Sequence, residues 1–157
     1  MIYTLLKFAH VLSIVIWVGG MVFAHFFMRP AAVELLPPPQ RVPLLHGALR
    51  RFLNSLIPVV IVVLFSGLGM MHRAVSESRK VGLEFPMPLD WTLMAVFGVF
   101  MMLIFAFVRF ALLPRLTRAV GVHDWPAGGT ALNMIRFWVA TNMVIGVGII
   151  GMAILMT

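Results

Sequence analysis

Four apolar runs, at about 3–28, 52–72, 90–113 and 132–156, constrain this chain more than any other feature, because each supplies the roughly 20 residues that a bilayer-crossing helix needs. In hydrocarbon every backbone N–H and C=O must be satisfied within the segment, so runs of this length are helices. Of the 157 residues, 62% are hydrophobic and 11% charged, against an apolar share of roughly 45–50% in soluble domains. The expectation is an all-α integral membrane protein: one four-transmembrane-helix bundle over residues 1–157, with no separate soluble domain.

The connections are short. Between the first two runs stands "RPAAVELLPPPQRVPLLHGALRR", in which Pro37, Pro38 and Pro39 predict an extended elbow before a short interfacial helix. The loop 73–89 is polar, and "GLEFPMPLDW" sets Asp90 to N-cap the third span. The third connection, "PRLTRAVGVHDWPAGGT", stops on "PAGG" before the last helix. The first run is too long for a signal-peptide core and leads straight into Arg29 and Pro30, so it is expected to stay in the mature chain.

The net charge of +7 does not indicate nucleic-acid binding, because the basic residues lie at span edges rather than in one patch. Eight of them (Arg29, Arg41, Arg50, Arg51, Arg109, Arg115, Arg118 and Arg136) fall on one side, against Lys7, Arg73, Arg79 and Lys80 on the other. The positive-inside rule then predicts both termini on the periplasmic side of a bacterial-type inner membrane, crossed several times. Trp91 and Trp125 suit an interfacial belt, whereas Trp17 lies deep in the first span.

Histidines inside a membrane are costly and mark ligand or proton-relay positions. Antiparallel spans bring His10 and His72 to the outer side and His25 and His46 to the inner side. His10 and His25 are fifteen residues apart, about 22 Å along a helix and rotated by only about 60°, so one face could serve two stacked sites. With no cysteine in the chain, thiolate sites and covalently attached haem drop out. A single b-type haem with His10 and His72 as axial pair is the first expectation; a second haem on His25 and an inner-side partner would extend it to electron transfer across the membrane. Lys7, three residues before His10, could meet a propionate or snorkel to headgroups, and Arg109 and Arg136 could each hold a carboxylate or simply set topology. Methionine offers a rival: Met21, His25 and Met28 stand at i, i+4 and i+7, and "GMMH" ends in Met70, Met71 and His72, combinations suited to Cu(I). Gly19, Gly20, Gly67, Gly69, Gly146, Gly148 and Gly151 allow close helix approach, and Asn142 is expected to hydrogen-bond across helices.

Taken together, "KFAHVLSIVIWVGGMVFAHFFMRPA", "RRF", "SGLGMM", a third span ending "LLPRL" and a fourth opening "IRFWVATN" resemble the CopD/PcoD-type copper-resistance membrane domain over nearly the whole chain. A histidine seven residues before Trp17 and nine before Gly19 is also similar to HemJ-type protoporphyrinogen oxidases. The first resemblance implies copper uptake or handling across the inner membrane with His and Met ligands. The second implies a b-type haem on the first-span histidine, here His10. Together these give a haem-binding electron carrier or membrane oxidoreductase as the leading expectation, working with a quinone or another redox partner in the lipid bilayer. A copper transporter that dimerises to complete its path is the alternative, and an accessory subunit whose histidines only join helices is a third reading.

Overall fold

The computed structural model describes residues 1–80, 82 and 87–155, and every regular element among them is helical. The α-helices are α1 (Ile2–Phe23), α2 (Arg29–Leu35), α3 (Pro38–Lys80), α4 (Leu89–Phe107), α5 (Leu113–Gly121) and α6 (Trp125–Leu155). One π-turn, Ala24–Met28, fuses α1 to α2, and a second, Val108–Leu112, fuses α4 to α5. The result is four rods long and apolar enough to cross a membrane: Ile2–Leu35, Pro38–Lys80, Leu89–Gly121 and Trp125–Leu155.

These rods outrun the apolar runs read from the sequence, and proline chemistry explains how. Pro30 and Pro114 each follow a π-turn at the start of the next α stretch. The wider π spiral makes room for a ring that would clash with the carbonyl four residues back in an unbroken α-helix. The expected elbow at Pro37–Pro39 shrinks to Leu36, with extended backbone angles of φ −127° and ψ 134°, and Pro37. Pro38 and Pro39 enter the first turn of α3, where a missing N–H costs nothing. No separate interfacial helix forms; that segment is the first part of α3.

Two further connections differ from expectation. The residue before α4 is Pro88, which makes no side-chain cap, and Asp90 instead sits in the first helical turn, where its charge complements the helix dipole. Positions 81 and 83–86 of that connection lie outside the described residues. "PAGG" lies inside α6 rather than ahead of it. The corner from α5 to α6 is only Val122–Asp124: His123, at φ 58°, sits left-handed after α5, and the Asp124 and His123 amides return to the carbonyls of Ala119 and Val120. Asp124 Oδ1 then accepts the Ala127 amide at 2.9 Å and caps α6. Replacing it, Asp124→Ala, is expected to cost about 1 kcal/mol, read as a lowered midpoint in a thermal melt of the detergent-solubilised protein.

Packing follows from small residues and one central helix. α1 lies along α3, with Gly20 beneath the Phe52 ring, where a Cβ would collide with it. α6 touches α1, α3, α4 and α5. Trp17 meets Phe105 edge-on, with centroids 6.0 Å apart, and so ties α1 to α4. Met21, Leu56, Leu112, Leu116 and Ile135 fill the interior, while Phe8, Phe65, Phe110, Phe137 and Val144 stand outward as a surface suited to lipid tails.

Candidate functional site

His10 is the most constrained imidazole in the molecule. Its Nδ1 lies 3.0 Å from the Val63 carbonyl oxygen and 2.9 Å from Ser66 Oγ. Ser66 directs its own hydroxyl proton to the carbonyls of Val62 and Val63, so toward His10 its oxygen accepts. Two acceptors at one ring nitrogen require Nδ1 to carry the proton, and Nε2 then keeps its lone pair. Histidine ligands of metals are commonly oriented in this way, through a second-nitrogen bond to a carbonyl. Gly67 lies beneath the ring; a Cβ there would come within 3.3 Å of His10 Cε1. Ser66 is buried and carries the orientation of His10, a role the sequence reading missed. The available signal was the small-residue patch Ser66, Gly67 and Gly69 on the helix antiparallel to the first.

The other expected ligands are distributed elsewhere. His72 is exposed and lies five residues beyond Gly67 on α3, about 7.5 Å farther along the axis and about 140° around it. The structure does not bring it to the face that holds His10. Met21 is 2% exposed and sits in the core, whereas Met28 is half-buried against that core and His25 packs edge-on to Phe26 beside an open groove. The π-turn at Ala24–Met28 interrupts the α spacing on which a single Met21–His25–Met28 stripe depends. Met70 and Met71 are half-buried, and Lys7 is exposed.

Other polar groups have structural partners or lie apart. His46 belongs to α3 rather than to a loop, and its Nε2–H donates to Thr117 Oγ1 at 2.9 Å while Thr117 donates to the Leu113 carbonyl, tying α3 to α5. His123 is exposed at the corner. Arg109, on the second π-turn, stands 5.3 Å from the Phe110 ring centroid, with its Nε buried and without a partner among the described residues. Among those residues no three His, Asp or Glu side chains gather as a metal-holding group.

Two spaces complete the geometry. The first is a cavity of about 10 Å³ where all four rods meet, lined by Trp17, Met21, Leu56, Phe105 and Asn142 among others. Asn142 is 2% exposed, and its Oδ1 has no hydrogen-bond partner among the described residues. Contrary to expectation, this oxygen makes no bond across helices. The second is an open groove of about 400 Å³ lined by His25, Asn133, Arg136, Phe137 and Ala140. A porphyrin does not fit the central cavity, because pockets for ligands of that size are on the order of hundreds of Å³.

The family model of copper resistance protein D, CopD, matches residues 46–156. The chain belongs to the CopD family. No curated protein and no solved structure matches it. The match runs from α3 to the end of α6 and includes Val63, Ser66, Gly67 and Asn142, while His10 and His25 precede it. Family membership favours the copper expectation over the haem and electron-transfer one, and the similarity to HemJ-type enzymes has no counterpart in the match. This CopD chain is therefore an all-helical, multi-pass membrane protein of a copper-resistance family.

Proposed function

We propose that this CopD chain handles copper in a membrane, moving the ion or holding it in transit, with His10 as its principal ligand. Family membership carries the reading. His10 supplies the chemistry: with Nδ1–H held by Val63 and Ser66, Nε2 offers a neutral nitrogen lone pair, a ligand that suits copper and that stays fixed in direction. Met21, at the central cavity with Asn142, contributes a thioether where a Cu(I) ion would need a soft donor midway across the bundle. His25 and Met28 serve at the far end, and Met70, Met71 and His72 serve at the end that carries the termini.

The eight-to-four distribution of Lys and Arg orients the bundle with both termini on the periplasmic side of an inner membrane. The central cavity of about 10 Å³ is too small for an open channel, so this reading includes a homodimer that completes the path past Met21 and Asn142.

Cu(I) titration of the purified chain in mild detergent, against a chromogenic Cu(I) chelator, tests this reading. Stoichiometric binding is expected, with affinity at least about tenfold weaker in His10→Ala and less weakened in Ser66→Ala, which leaves the imidazole but loosens it. Binding unchanged in His10→Ala would remove the assignment of that ligand. A protein that isolates with a Soret band and binds no Cu(I) would overturn the copper reading itself.

A further inference from the structure

The Arg-rich end of the bundle carries a second feature, separate from His10, in a groove that shares His25 with the far copper end. Arg29, at the start of α2, donates from Nη2 to Asn133 Oδ1 on α6 at 3.3 Å, bridging the first and fourth rods. Asn133 and Arg136, three residues apart on one face of α6, line the 400 Å³ groove together with His25 from the π-turn. The guanidinium of Arg29 therefore stands at the rim of a groove that already contains Arg136 and an imidazole. Among the described residues, no carboxylate lies within ion-pair distance of Arg29 or Arg136; Glu77 pairs with Lys80 instead, on exposed side chains near the end of α3.

The remaining lining has a different character. Phe137 and Ala140 continue along α6 from Arg136 toward the middle of the span, one offering an aromatic wall and the other a shallow floor. Cations and a hydrogen-bonding amide at one end, with an apolar channel leading into the bilayer, fit an amphiphile with an anionic head. Basic pockets between spanning helices are a known physical solution for charged lipid headgroups. Guanidinium also matches phosphate geometry better than a point charge does.

We propose that the groove between α1–α2 and α6 binds the phosphate of an anionic membrane phospholipid, with Arg29 and Arg136 on the phosphate and an acyl chain along Phe137 and Ala140. An apolar wall gives no advantage to a free phosphate ion, which is why the lipid is the assigned source. Bound there, the lipid places its single phosphodiester charge between two guanidinium groups and fastens the first rod to the fourth.

Native mass spectrometry of the full chain, released from detergent after incubation with phosphatidylglycerol or phosphatidylcholine, provides the test. One phosphatidylglycerol is expected to be retained in preference to phosphatidylcholine. Arg136→Gln is expected to weaken that retention roughly fivefold, as is Arg29→Gln. Ala140→Phe, which fills the groove and leaves both cations, is expected to abolish it. Arg118→Gln, an exposed arginine on α5, is the control and should retain the lipid. Circular dichroism verifies that each variant keeps its helices, and Arg136→Gln carries the test should Arg29→Gln loosen the α2–α6 bridge. Equal retention of the two lipids, retention in Arg136→Gln and Ala140→Phe equal to the control, or displacement of the lipid by millimolar inorganic phosphate would each overturn the proposal.

Discussion

Trp17→Ala is expected to destabilise the bundle by about 3 kcal/mol, the low end of the range for deleting a large buried aromatic. The side chain is 3% exposed, contacts Phe105 edge-on and lines the cavity at the junction of all four rods. In water, part of such a loss comes from apolar transfer, but lipid tails are as apolar as the core, so here the loss comes from packing contacts and the void left behind. The cost therefore falls near the low end rather than the high one. Unfolding in mixed micelles with increasing dodecyl sulfate should show a clearly earlier midpoint. A midpoint coincident with wild type would mean that the centre is not the packed junction described above.

Asn142→Leu is expected to act in the opposite direction on stability. An amide oxygen buried without a partner costs about 1–3 kcal/mol relative to a satisfied or apolar group of the same shape, and Leu keeps the branched arrangement of Asn's side-chain heavy atoms. Stability in the same micelle assay should therefore rise. Copper movement into proteoliposomes should fall, because the substitution removes the polar side chain that faces the central cavity beside Met21. A gain in stability with unchanged copper flux would leave Asn142 without a part in copper handling. A loss of stability would show that its oxygen is satisfied in the membrane, for example by a water in the cavity.

The hydropathy pattern was enough to read four spanning helices and their antiparallel order. In a membrane the backbone leaves few alternatives once a run passes about 20 residues. Rod ends were less legible. Pro30, Pro38, Pro39 and Pro114 read as breaks, yet π-turns and first-turn positions accommodate them, and the helices continue. Asp124 was similarly hidden: capping depends on where α6 begins, and "PAGG" pointed to a start further on.

His10 was visible as a residue but not as a site. Any intramembrane histidine invites attention on energetic grounds, and the sequence alone singled out His10, His25 and the glycines that let helices approach. Which histidine is oriented depends on the register between α1 and α3, set by side chains more than fifty residues apart in sequence. That register places Ser66 and Gly67 against His10 and leaves His72 on another side of α3. The groove with Arg29, Asn133 and Arg136 is likewise a product of packing between the first rod and the last. Fold class and span number were thus determined by sequence, because backbone satisfaction in hydrocarbon is a local requirement. The tautomer of His10, the orphaned Asn142 and the cationic groove were decided by tertiary structure alone, because each is a relation between helices that no single helix contains.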